Sequence, residues 1–305
     1  MRRSGFTLVE LIIVMVVIAS LIALLLPAIS SVRTTVAVTG VRAEISSLES
    51  ALADFKLKFG DYPPSSIVLY ESWSAGWGAD SSSRSRIRSL FPKFDFGRPA
   101  PAGTGLSRDF NGDGDTDDFF VLKGDQCLVF FLGGMFDSTT GFNGFHPDPT
   151  NPFQKNAASP IGPFMDFDIK RVLYSFDVQY PYYDNGTPTG ADCSIHFPVY
   201  ADPLPGQSRP YIYSVSYDGA GYNDNPGGDA NTEATGSTVF NVYTTIGGVH
   251  YKPHTFQIIS PGHDGEYGEG GVYDSEAINP LPTTLGVTRF VERDNVTNFA
   301  SGTLN

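Results

Sequence analysis

The chain has 305 residues, 41% hydrophobic and 13% aromatic, enough apolar material for one large domain or two small ones with a buried core. Only 17% are charged, the formal net charge is -13, and the sequence pI is near 4.7. Such an acidic surface repels phosphate backbones and argues against nucleic-acid binding, while 33 glycines and 22 prolines argue for strands and long ordered loops rather than a helical bundle.

Residues 1–5 read Met-Arg-Arg-Ser-Gly and place two arginines before an apolar run, which orients the start of the chain towards a cytoplasm. The run covers residues 6–29 and exceeds the roughly 20 residues that span a bilayer as a helix. It holds one ionisable residue, Glu10. A carboxylate in a bilayer core costs on the order of 3 kcal/mol, and the run offers no Lys or Arg to offset it. A cut between Gly5 and Phe6 would create an α-amino group near Glu10. That amine, from the same subunit or a stacked neighbour, would compensate the acid and set axial register. A signal peptide cut near Ala28-Ile29-Ser30, or a plain membrane anchor, would also explain the run, but either leaves Glu10 without a role.

Gly5-Phe6-Thr7-Leu8-Val9-Glu10 resembles the processing site of type IV prepilins and type II secretion pseudopilins. The resemblance implies a prepilin peptidase that cuts after Gly5 and methylates Phe6, an assembly role for Glu10, and a helix-weakening role in the filament for Pro27. It implies an inner-membrane, single-pass precursor with its head in the periplasm. It also implies self-assembly into a helical filament with an inner-membrane assembly platform and other pseudopilins as partners.

After residue 29 the chain turns polar but keeps a helical beat. Val41, Ile45, Leu48, Leu52, Phe55 and Phe59 recur every three or four residues and form one apolar stripe, with Arg42, Glu44, Glu49, Asp54, Lys56 and Lys58 mostly off it. Gly60 suits a left-handed cap, and Pro63 and Pro64 forbid continuation. Residues 6–59 are thus expected as one helix, with 6–29 as its transmembrane, assembly half and 30–59 as its amphipathic half. Pro27 and Gly40 are its weak points. Gly60-Asp61-Tyr62-Pro63 resembles the Gly-x-Tyr-Pro that ends this helix in major pseudopilins.

Residues 65–108 read as loops with a short helix, and the basic cluster Arg84, Arg86 and Arg88 as a solvated face. Between 109 and 118, Asp109, Asn111, Asp113, Asp115 and Asp117 alternate around Gly114, a pattern that suits Ca²⁺, the alternative being a merely acidic solvated turn. The segment resembles the first part of an EF-hand-type loop but has Phe120 where the closing acid stands, so the last ligand is expected from Asp118 or a distant residue. Phe119–Leu122 and Cys127–Leu132 read as core segments. Cys127 and Cys193 would pair in an oxidising compartment only if the fold brings them within reach.

Short strands are expected near Val172–Asp177 and Ile195–Tyr200. Clearer ones fall at 211–215, 238–243 and 254–259, with a long loop at 218–236. The segment from Phe256 to Gly265, with Gly268, Gly270 and Gly271 after it, resembles the calcium loop of major pseudopilins. That resemblance puts a Ca²⁺ on Asp264 and, through the closing element 293–298, on Asp294. Asn185 and Asn295 stand in glycosylation sequons.

The expected fold is α+β: a long N-terminal helix packed on a C-terminal antiparallel β-sheet head with long loops. Its parts are a leader (1–5), the helix (6–59), a loop-rich insertion carrying the acidic loop (60–209) and the sheet with its own loop (210–305). No hydrolase, phosphate-loop or zinc-protease motif is present, and His250 and His254 are separated by Pro253, so no enzyme is expected. A structural pseudopilin is the leading reading. The alternative is a minor or tip pilin whose insertion grips a surface or cargo.

Overall fold

The computed structural model describes residues 8–101, 103–110, 115–137, 140–154, 157–173, 197–217, 221–222, 240–282 and 289–305; residues 24, 26–31 and 33 are described as backbone only. Gly5, Phe6, Asn111, Asp113, Asn185 and Cys193, most of the 218–236 loop and the outer parts of three expected strands therefore lie outside the described residues.

Helix α1 (Leu8–Phe59) is 52 residues long, about 78 Å at 1.5 Å per residue. It runs unbroken through both Pro27 and Gly40, so neither expected weak point interrupts it here. The apolar stripe is buried as the spacing requires: Val41, Leu48, Leu52 and Phe55 are wholly inaccessible and Ile45 nearly so. Gly60 closes the helix with φ 93°, its amide donating to the Lys56 carbonyl at 2.7 Å, a conformation a side chain would strain. Among the described residues no helix is long and apolar enough to cross a membrane. Within the apolar run that the sequence carries to residue 29, side chains are described without a break only from Leu8 to Ala23.

Among the described residues the head is a set of short, mostly antiparallel strand pairings around two short α-helices. Strand β1 (Ile67–Tyr70) follows the helix exit, and α2 (Ser81–Leu90) begins on Asp80, which accepts the Ser83 amide at 3.0 Å. Strand β2 (Phe119–Leu122) pairs antiparallel with β1. Of β2 only Leu122 is fully buried, so this segment edges the core rather than filling it. Helix α3 (Gly124–Gly133) is buried at every residue but Gln126 and packs on α1 and on the later strands. At Gly124 an added Cβ would lie 1.8 Å from the Tyr213 carbonyl, so glycine is needed for the close approach. Two short hairpins follow: β3 (Phe136–Asp137) with β4 (Gly141–Phe142), and β5 (Val172–Leu173) with β6 (Val199–Tyr200).

The main sheet has β7 (Ile212–Val215) and β11 (Val296–Thr297) on either side of β9 (Phe256–Ser260), all antiparallel, with β11 against α1. The expected third strand is β8 (Asn241–Thr244), and it departs from the single-sheet expectation. It pairs in parallel with β10 (Gly270–Val272). The Gln257 side chain joins it to β9 instead, accepting from the Tyr243 amide and donating to the Tyr243 carbonyl, each at 2.9 Å. One core cluster runs from Val41 through Trp77, Phe130, Phe153 and Tyr200 to Val296, so the segment 60–209 and the C-terminal strands share a core.

Candidate functional site

The first candidate surface is α1 itself. From Leu8 to Leu25 every large apolar side chain described is at least 47% exposed, and Leu8 reaches 73%. The head covers none of it. Glu10 stands exposed in the first turn of this surface, next to the Gly5-Phe6 junction in sequence. A continuous apolar helix of this kind requires lipid or partner helices to cover it. Pro27 lies in the same helix.

The helix is locked to the head at Glu44. The sequence places this residue off the apolar stripe, yet its side chain is only 12% exposed. Arg171 grips its carboxylate with both guanidinium ends, one at 2.7 Å. The hydroxyls of Tyr200 (3.1 Å) and Tyr211 (2.8 Å) donate to it as well. The hydrogen bond to Glu44 holds the Arg171 pKa up against the opposing effect of burial, and burial together with the Glu44 charge raises both tyrosines. This clamp was not legible in the sequence, because three of its members lie more than a hundred residues from Glu44.

The acidic loop is built by strand register. Tyr70 pairs with Phe119, so the next residues, Glu71 and Asp118, lie side by side, and the Glu71 amide donates to the Asp118 carbonyl at 3.1 Å. On its other side Glu71 takes the Phe110 amide on Oε1 at 2.6 Å, and its carbonyl takes the Arg108 amide at 2.8 Å. The result gathers carboxylate oxygens of Glu71 (buried), Asp118 (half-buried) and Asp115 (exposed) within 4.8 Å of one another. Among the described residues, Asp109 and Asp117 are not in that group. The strict alternation of the sequence pattern therefore fails here. Asp118 enters the group because β2 starts at Phe119, and the distant carboxylate beside it is Glu71.

The second loop brings Asp264 and Asp294 together, but Asp294 already serves the backbone. Its Oδ2 accepts the amides of His263 (2.6 Å) and Asp264 (3.0 Å). Burial raises the pKa of Asp264, and the charges of Asp294 and Glu266 add to it. Behind this loop Arg289 and Glu292 form a buried pair, with the Tyr243 hydroxyl on Glu292 at 2.8 Å and the Glu269 amide at 3.1 Å. Asn295 is inaccessible, its side chain donating to the Tyr267 carbonyl at 2.9 Å, so its sequon is closed to a glycan in this fold.

Of the basic cluster only Arg88 is exposed, and all three side chains lie against the head rather than free in solvent. Arg84 donates to the Trp77 carbonyl, Arg86 lies 4.7 Å over the Tyr217 ring and Arg88 5.2 Å over Phe96. Cys127 is buried, its thiol 3.6 Å from the Leu122 carbonyl.

Residues 1–26 match the family model described as the prokaryotic N-terminal methylation motif. No curated protein and no solved structure matches the chain. The motif supports a type IV pilin-like, prepilin-type protein, a substrate of prepilin peptidase whose N-terminal helix serves membrane anchoring and filament assembly.

Proposed function

We propose that this chain is a structural subunit of a type II secretion pseudopilus. It would be stored in the inner membrane with its head in the periplasm, cut before Phe6 and packed helix against helix into a filament. One observation carries the reading: the methylation motif leads into a helix that is apolar and uncovered through Leu25, then docks its head from Val41 onward. The secretion branch is favoured by the helix exit. There Gly60-Asp61-Tyr62-Pro63 is pinned by the Tyr213 hydroxyl on the Pro63 carbonyl at 2.8 Å and by Tyr62 edge-on to Phe256. It is favoured too by the 256–271 loop, closed by Asp294.

Ca²⁺ belongs to the proposal. Three carboxylates are the hard oxygen donors it takes, and Glu71, Asp115 and Asp118 would hold it. The ion would brace the head so that neighbouring heads fit.

N-terminal mass spectrometry of the mature protein is expected to find methylated Phe6, and Glu10→Ala is expected to be cut normally yet to lose at least tenfold in filament yield. A mature chain starting after residue 29, or full assembly of the Glu10 variant, would overturn the reading.

A further inference from the structure

Two unlike patches on the head complement one another, and the inference drawn from them rests on the assembly reading above. The first is a pocket of about 290 Å³ at the C-terminal end of α1. Phe59, Phe91, Pro149, Pro152 and Ile161 give it an almost wholly apolar lining, and the exposed Lys93 belongs to it. The pocket is at the small end of the roughly 300–1,000 Å³ of ligand sites and is large enough to take one branched aliphatic side chain. Among the described residues Lys93 has no ion-pair partner that would neutralise it.

The second patch is the loop after β10. The Asp274 amide donates to the Pro280 carbonyl at 2.8 Å, and Asp274 in turn accepts the amides of Glu276 on its side chain (3.0 Å) and Ala277 on its carbonyl (3.2 Å). This closed loop holds up Ile278, which is as exposed as an isoleucine can be (107%). Two carboxylates, Asp274 and Glu276, precede it. The loop is braced on the minor core cluster through Tyr273 and Leu281, whereas the pocket is built on the main one through Phe91.

We infer that Ile278 of one subunit inserts into the Phe59–Phe91 pocket of the next copy in the filament, with Asp274 and Glu276 facing Lys93. An exposed branched side chain on a preorganised loop loses little freedom on docking, and burying it in a desolvated apolar pocket removes its whole surface from water. Knob and pocket are different patches of one chain. The contact is therefore heterologous, and repeated from copy to copy it propagates an open helix. A second copy is the occupant that the charge match favours. Helix packing already holds such copies at high effective concentration.

The test uses the full-length chain in assembled filaments carrying both Lys93→Cys and Ile278→Cys. Oxidation is expected to yield a ladder of covalent multimers that neither single variant gives. Filaments that form without a ladder overturn the contact, as does a crosslink made by Lys93→Cys alone to a different protein, which would assign the pocket to a client. Independently, Lys93→Glu should cut filament yield several-fold and added Glu276→Lys should restore it; failure to restore also overturns the contact. Wild-type chain that is methylated at Phe6 yet forms no filament would instead sink the assembly reading, and this contact with it.

Discussion

Glu44 decides how the anchor helix meets its head. Four donors from Arg171, Tyr200 and Tyr211 converge on one carboxylate that solvent scarcely reaches. Breaking a buried pair costs more than making it gains, because the surviving charge is stranded; about 3–5 kcal/mol is typical when both partners are fully buried. Arg171 is 24% exposed, so Glu44→Ala should cost less, about 2–3 kcal/mol in urea unfolding of the full chain. Arg171→Ala should cost a similar amount, and the double variant less than the sum of the two. A loss below 0.5 kcal/mol for Glu44→Ala would show the clamp to be ornamental. Asp125 behaves differently. Buried at the start of α3, its carboxyl is pushed up to about 6, with burial the chief cause and the Gln126 amide bond opposing it. A raised carboxyl pKa contributes stability that is complete below about pH 4 and is lost as pH rises through about 6. Asp125→Asn keeps the acceptor and removes the charge. It should flatten the pH dependence between 4 and 6 and raise stability at pH 7 by up to about 3 kcal/mol, read from thermal melts across that range.

The long helix was legible at the level of single residues because its two halves obey plain rules. The first is apolar on every side, and the second has a stripe that lands in the core from Val41 to Phe55. Helix α3 has no such signature. All but Gln126 of its residues are buried, so no polar face remains to reveal a helical period, and Cys127–Leu132 could only be read as core. Strand β8 alternates well, but its partner was hidden. Gln257, a polar residue in the buried strand β9, takes both backbone groups of Tyr243, and the strand then finds β10 in parallel. At the site, Asp115 and Asp118 were visible in the acidic run, whereas Glu71 was not, since only the β1–β2 register brings it alongside. Helix α2 shows the opposite case, a short polar element that stands on its cap. Asp80 takes the Ser83 amide and the Tyr70 hydroxyl (3.2 Å), and Tyr70 is pushed up to about 12, chiefly by burial and then by Asp80. Asp80→Ala should cost about 1 kcal/mol by chemical denaturation, and Asp80→Asn less than half of that.

In the whole molecule two acidic loops are candidates for the proposed Ca²⁺, and their backbone chemistry separates them. In the C-terminal loop Asp294 spends one oxygen on two amides, and the Arg289–Glu292 pair pins the segment from behind, so this loop is held shut by the protein's own groups. At the β1–β2 edge, by contrast, three carboxylates converge with only Lys123 and Arg108 as basic residues near them in sequence. Their mutual repulsion is what a divalent cation relieves. An ion that binds only the folded chain stabilises it by about 2.7 kcal/mol at a hundredfold excess over its dissociation constant. Ca²⁺ should therefore raise the melting temperature by several degrees and chelator should lower it, with Mg²⁺ weaker because it holds its waters and demands a tighter octahedron. Glu71→Gln preserves the acceptor for the Phe110 amide but should abolish the Ca²⁺ shift, while Asp264→Asn should leave it intact. If the Asp264 variant loses the shift and the Glu71 variant keeps it, the ion belongs to the C-terminal loop; if chelator moves no melt at all, the head is braced by its side-chain network alone.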